Sequence, residues 1–491
     1  MSLHAGPLVM VDIEGTRLDA GTAAFLREQR IRAVCLFRKN FGSETEVRAL
    51  IKDLHAALGP QALVAMDQEG GAVVRATFLP QPPSAMALGA AGDEALAFEV
   101  GAATARGLRS IGVNWNFAPV LDVNNNPANP VIGERSFGED PAAVARLAGA
   151  WMRGSLGEGV ACCVKHFPGH GDTHTDSHHA LPTVDKPLAA LEALELVPFA
   201  ALIDAPALMT AHIVYPQIDP ELPATLSRTW LTGVLREHFS YRGVVITDAL
   251  MMQAVRDRWG HAKAAVLALD AGADMVLAQG SRDEQQATLD AIGDALASER
   301  LQPMRLAASR ARLDALASRF PAVQRDYPQR RADEALMADA WARGLTVLRG
   351  AVPPLRTTPL RVIGQARVDS DGVSEAGLAL ESLQPLFDGF ADVQWCAVES
   401  LLEAGALPPP DGRFTVLLGN HRQRYRQAAA ERLRPDLHIA LWNPYQALDI
   451  AGPTVLSWGF APGALAALRA WLHGGASAPG KPPITLEESH R

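Results

Sequence analysis

Residues 243–250 read GVVITDAL. Val244, Val245, Ile246 and Thr247 are all β-branched, which suits a strand, and no charge interrupts the run until Asp248 closes it. A strand with no water-facing side belongs in a parallel sheet covered on both faces. Seven more runs of this kind occur: LVMVDI, AVCLFR, ALVAMDQE, VNWNFAPVLDV, GVACCVKHF, ALMTAHI and DMVLA. Between them lie stretches with Ala, Leu, Arg and Glu at helical spacing, such as ETEVRALIKDLHAAL and DPAAVARLAGAWMRGSL. Eight strand–helix alternations over roughly 300 residues predict an α/β chain built on a (β/α)8 TIM barrel. An open doubly wound sheet is the alternative. The barrel is favoured because most runs end in a polar residue: Asp12 and Glu14, Asp67 and Glu69, Asp122, Lys165 and His166, His212, and Asp248. Carboxyl ends of barrel strands converge on one mouth, so these side chains are expected to share a pocket.

The pattern changes after the eighth run. Residues 1–320 form the predicted barrel, and 321–344 a polar linker and a helix, ADEALMADAWARG. Residues 345–491 form a short C-terminal α/β domain with strands at RVIGQ, VQWCAV, RFTVLLGN and HIALWNP. Its Gly/Pro-rich tail, GGASAPGKPPITLEESHR, is expected to be extended.

Composition narrows the function. A net charge of -9 and a pI near 5.9 provide no basic footprint for nucleic acid or an anionic membrane surface. Cys35, Cys162, Cys163 and Cys396 are too few and too irregularly spaced for a disulfide framework or a zinc motif. The N-terminal MSLHAGPLVMVDIEG lacks a basic region ahead of its short apolar run, so no secretory signal is expected and a cytoplasmic protein is. A small polar ligand fits this profile.

Residues 165–182, KHFPGHGDTHTDSHHALP, carry the densest chemistry. His170, His174 and His178 are four apart, but Pro168, Gly169 and Gly171 break any helix that would align them on a metal. A solvated loop is the bland alternative. A dyad is the third: Asp176, two residues from His178, can accept its Nδ1 proton and leave Nε2 to donate to and take from a substrate. Asp248 is the group such a dyad would serve, with a helix N-cap as its structural alternative.

The stretches AMDQEGGAVVR (65–75), NFAPVLDVNNNPANPVIGERSFGEDP (116–141), KHFPGHGDTHTDSH (165–178), MTAHI (209–213) and GVVITDAL (243–250) resemble the β-N-acetylhexosaminidase branch of glycoside hydrolase family 3. The resemblance spans about residues 5–320. It implies a retaining exo-β-N-acetylglucosaminidase acting on muropeptide or chitooligosaccharide fragments. Asp248 would be the nucleophile, His178 the acid/base group and Asp176 its partner. Asp67, Arg75, Arg135, Lys165 and His166 would hold the sugar, unless the arginines and Lys165 are structural ion pairs, with Glu69 or Glu134 as the arginines' partners. It implies no metal or organic cofactor. The partner would be a small carbohydrate, with a homodimer through the C-terminal domain. A β-glucosidase, a phosphorylase using phosphate as acceptor, a metal-dependent barrel hydrolase and a non-catalytic sugar-binding protein are the alternatives. The C-terminal unit offers no glutamate in a catalytic context, so it reads as a packing element.

Overall fold

In a computed structural model the described residues are 4–177, 180–370, 377–402 and 411–486. Eight parallel strands close into a barrel in chain order: β1 (Val9–Val11), β2 (Ala33–Leu36), β3 (Leu63–Met66), β4 (Trp115–Asn116), β5 (Ala161–Phe167), β6 (Ala207–Thr210), β7 (Val244–Ala249) and β8 (Met275–Ala278). Val9 of β1 pairs with Val276 of β8 to complete the ring. Each strand lies within one of the eight predicted runs, which rules out the open sheet. Val244, Val245 and Ile246 are at most 1% exposed, as a strand covered on both faces requires. The helices Glu44–Leu58 and Arg282–Ala297 each begin with a capping box, Ser43 with Glu46 and Ser281 with Glu284.

Two elements differ from the sequence reading, each at a proline. The long run VNWNFAPVLDV contributes only Trp115–Asn116 to the ladder, plus an isolated bridge from Val120 to Lys165. Pro119 has no N–H to donate there. The stretch LAALEALELVPFAALI forms two short helices, Leu188–Ala193 and Val197–Ala201, with Pro198 in the first turn of the second. The peptide bond Phe167–Pro168 is cis, as its place at a strand-end turn suggests, and so are Ala118–Pro119 and Lys165–His166.

A second sheet has the order β9-β14-β13-β12-β10-β11, where β9 is Thr346–Leu348, β10 Leu360–Gln365, β11 Val393–Val398, β12 Phe414–Gly419, β13 Leu437–Ala440 and β14 Thr454–Leu456. All neighbours are parallel except the edge strand β9. The chain reverses direction across the sheet between β10 and β12, and the crevice beyond the carboxyl ends of these strands is where open α/β sheets meet ligands. Here that crevice faces the barrel mouth. The helix Arg330–Gly344 joins the two units, packing on the barrel helix Ala85–Ala91 and on Pro462–Leu472, with Trp341 buried among Met86, Ala87 and Trp458.

The tail is extended as expected, but it is docked. Lys481 N–H donates to the Ala90 carbonyl (2.9 Å), Glu139 N–H donates to the Pro483 carbonyl (3.1 Å), and Ile484 and Leu486 are buried. Residues 479–486 thus strap the second unit to the barrel wall. Among the described residues no helix is long and apolar enough to cross a membrane.

Three buried histidines make stability depend on pH. Burial lowers His170 and His421 to about 4 and His438 to about 3. Each is therefore neutral in the fold while its unfolded counterpart gains a proton below the usual imidazole value. Their contribution is complete above that value and is lost as pH falls toward the folded values. At pH 5 the loss is about 2 kcal/mol per histidine relative to pH 7. Thermal melts should show a clear drop in Tm between pH 7 and pH 5 that shrinks in a His421→Gln variant. Equal slopes in parent and variant would assign the acid sensitivity to other groups.

Candidate active site

The strand ends converge as the sequence predicts, but in two layers. A cavity of about 270 Å³ at the barrel mouth is lined by Asp12, Asp67, Glu69, Arg75, Arg135, Lys165, His166 and Asp248, with Lys39 at its rim. Asp122 and His212, both fully buried, do not line it. They lie one layer lower: Asp122 under His166, and His212 under β7, where its Nε2 lies 3.0 Å from the Ala249 carbonyl. Glu14 is exposed and pairs with Lys39.

The expected sugar-holding residues form one ionic network. Lys165, only 2% exposed, donates to Asp67 Oδ1 (2.7 Å) and pairs with Glu69 Oε1 (2.6 Å). Arg135 clamps Glu69 with Nε and Nη2, both at 2.9 Å, and donates from Nη1 to the Val131 carbonyl at 3.1 Å. Arg75 lies 3.5 Å from the other oxygen of Asp67. Arg135 and Lys165 are ion-paired, and both also line the cavity.

Burial alone would push Glu69 upward, yet Arg135 and Lys165 outweigh it and hold the carboxyl well below its ordinary range. Burial would likewise lower Lys165, and Asp67 and Glu69 hold it above its usual value. Glu69, Arg135 and Lys165 therefore stay charged near neutrality. Lys39, Arg75, Arg135 and Lys165 face Asp12, Asp67, Glu69 and Asp248, so the charges lining the cavity cancel. A charge-balanced wall rich in fixed donors and acceptors suits an uncharged polyhydroxylated ligand.

The two histidines at the base have defined roles. His166 Nδ1 donates to Asp122 Oδ2 at 2.6 Å, and its Nε2 accepts from Arg135 Nη2 at 3.3 Å. His170 takes Asp122 Oδ1 on its backbone N–H (2.7 Å), Thr173 Oγ1 on Nδ1 (2.8 Å) and Ser177 Oγ on Nε2 (3.0 Å). Both rings are engaged on both nitrogens. Among the described residues no three His, Cys, Asp or Glu side chains gather as metal ligands.

Asp248 ends β7 half-buried, its Oδ1 accepting from Ala249 N–H at 2.7 Å. The N-cap alternative fails, because the next helix, Gln253–Trp259, starts later and has Met252 as its N-cap residue.

The loop 169–177 is tied to the neighbouring loop, where Asn129 Nδ2 reaches the carbonyls of His170 (2.8 Å), Gly171 (3.1 Å) and Thr173 (3.2 Å). Ser177 lines the catalytic cavity, whereas Asp176, 8% exposed, lines an adjoining cleft of about 840 Å³ between barrel and second domain. His178 and His179 lie outside the described residues. The second domain contributes Arg422 and Trp442 to that cleft. Sequence reading missed both, along with Asn129, because only the folded arrangement brings them to the mouth.

The barrel region, residues 3–316, matches the model of the glycosyl hydrolase family 3 N-terminal domain. A beta-hexosaminidase from Alkalilimnicola ehrlichii is 42% identical over 281 residues, 55% of this chain and 80% of that protein. One from Chromobacterium violaceum is 41% identical over 302 residues, 60% of this chain and 84% of that protein. Among solved structures, a glycoside hydrolase family 3 β-N-acetylglucosaminidase from Paenibacillus sp. str. FPU-7 superposes with a TM-score of 0.87 at 33% identity, over 98% of each chain. NagZ from Neisseria gonorrhoeae, solved with N-trifluoroacetyl-D-glucosamine, covers 63% of this chain and 98% of its own at 33% identity and a TM-score of 0.53. The family match over most of the barrel, together with these relatives, shows that the chain belongs to glycoside hydrolase family 3 and is a glycoside hydrolase of the β-hexosaminidase type.

Proposed function

We propose that the protein is a retaining exo-β-N-acetylglucosaminidase that works through a covalent glycosyl-enzyme on Asp248. The observation that carries this reading is the cavity: its volume suits one sugar ring, its charges cancel, and Asp248 stands at its wall. Asp67, Arg75, Arg135, Lys165 and His166 hold the ring hydroxyls and the acetamido oxygen. Phe117, Val131, Met209 and Met252 supply apolar surface for the acetamido methyl group. Asp248 attacks the anomeric carbon while His178, paired with Asp176, protonates the departing oxygen. The same His178 then deprotonates water, which attacks from the face the leaving group vacated, and two inversions give net retention. The leaving group occupies the interdomain cleft beside Asp176. Muropeptide or chitooligosaccharide fragments are the substrate class, and a cytoplasmic site of action fits the sequence.

Chromogenic β-N-acetylglucosaminide and β-glucoside assayed side by side test the proposal. A preference for the acetamido sugar of about a hundredfold or more in kcat/KM is expected. Equal rates would favour a β-glucosidase, and absence of turnover on both a sugar-binding protein. Histidine as acid/base also leaves the glycosyl-enzyme open to anionic acceptors, because no carboxylate there repels them. Raising phosphate at fixed pH should therefore divert part of the product to the sugar 1-phosphate. Detection of free sugar alone at tens of millimolar phosphate would exclude phosphorolysis.

A further inference from the structure

We propose that Trp442, in the second domain, is a positioning residue for Arg135 in the barrel's sugar cavity, acting through its hydrogen bond to Glu134. The inference rests on the sugar-pocket reading given above.

Trp442 is 1% exposed and Glu134 2%, and Trp442 Nε1 donates to Glu134 Oε1 at 2.8 Å. A buried carboxylate is costly unless it is paired, so this contact has a strong directional preference. Glu134 and Arg135 are neighbours in one short 3-10 helix, Gly133–Arg135, so a shift of that backbone turn moves the base of both side chains. The same segment is gripped from the second domain at two more points. Arg422 Nη2 donates to the Val131 carbonyl, which also accepts from Arg135 Nη1. Tyr445 Oη donates to the Asn124 carbonyl at 3.0 Å, and Asn124 Nδ2 reaches the Gly133 carbonyl at 3.4 Å.

The guanidinium of Arg135 has little freedom to adapt if its backbone moves. It must meet Glu69, His166 and Val131 together, in a planar fork of fixed shape. A small rotation of the 3-10 helix breaks several of these bonds at once and moves a positive group that faces the sugar. NagZ from Neisseria gonorrhoeae aligns over 98% of its own length with only 63% of this chain. In this protein the wall segment beside Arg135 is completed by residues of the second domain.

The test uses the full chain and 4-nitrophenyl N-acetylglucosaminide. W442F removes the N–H donor together with the second ring of the indole, whereas E134L removes the acceptor and keeps that ring. W442F should raise KM, and the inhibition constant of N-acetylglucosamine, about tenfold, while kcat on this activated aglycone stays within about threefold. E134Q, whose amide oxygen can still accept from the indole, should keep a near-parental KM. E134L should reproduce W442F, and the double variant W442F/E134L should be no worse than E134L. A fall in Tm with unchanged KM and inhibition constant would overturn the proposal and leave Trp442 as a docking contact, as would additive losses in the double variant. R135K is the control for the underlying reading. An unchanged KM in R135K would remove Arg135 from sugar binding altogether, whereas a raised KM in R135K with parental W442F would overturn only the role of Trp442. If W442F does not fold, the comparison of E134Q with E134L decides, and equal KM values in that pair overturn the proposal.

Discussion

Replacing Asp248 with asparagine is expected to lower turnover by roughly four orders of magnitude or more while shifting Tm by no more than a few degrees. The two halves of this expectation have separate physical grounds. Turnover falls because an amide cannot act as the nucleophile that bonds to the anomeric carbon. Stability changes little because the residue caps no helix, is only half-buried, and uses Oδ1 to accept from Ala249 N–H, which an amide oxygen can also do. The substitution also leaves the cavity with one excess positive charge, so the inactive variant should bind small anions better than the parent does. Steady-state kinetics and thermal melting check both halves. Turnover within tenfold of the parent would remove Asp248 from the bond-forming step.

His178→Ala should separate substrates by their leaving groups. Glycosylation from an alkyl or sugar aglycone needs a proton on the departing oxygen, and its rate is expected to fall about a thousandfold. A dinitrophenyl aglycone leaves without that proton, and its glycosylation rate should stay within about tenfold of the parent. Asp176→Ala should show the same ranking with smaller losses, because a carboxylate partner orients the imidazole and stabilises its cation without touching the sugar. His170 Nε2, 3.0 Å from Ser177 Oγ, anchors the residue next to Asp176 in the chain. Pre-steady-state bursts with the two aglycones provide the measurement. Equal losses on both would make His178 structural.

The barrel was legible because its signal is local. Eight two-sided apolar runs announce buried parallel strands wherever they fall, and the acid after Val244–Thr247 needs no partner to be noticed. What the sequence could not assign was depth. Asp122, His166 and His212 all end apolar runs, yet of the three only His166 reaches the cavity, and nothing in the runs themselves distinguishes it. Pro119 adds to this by ending the β4 ladder early and carrying Asp122 inward on irregular backbone. Arg135 shows a different limit: ion pairing and a place in the cavity wall are not exclusive, and its planar fork is paired with Glu69 while the residue lines the cavity. The second domain was legible as strands and helices, but its part in the site was not. Trp442 meets Glu134 across 308 residues, and no periodicity or spacing marks a contact of that range.

The docked strap has a consequence for the order in which the protein is made. Glu139 meets Pro483 through its backbone, and its carboxylate meets the hydroxyl of Thr485, 346 positions later. On the ribosome, the loop that carries Arg135 emerges long before the residues that will cover it. Until Trp442, Tyr445 and Pro483 arrive, the Glu134 carboxylate, the Asn124 carbonyl and the Glu139 N–H lack the partners they have in the folded protein. The nascent barrel therefore carries these groups in water until the second domain folds down onto them and the surface dries.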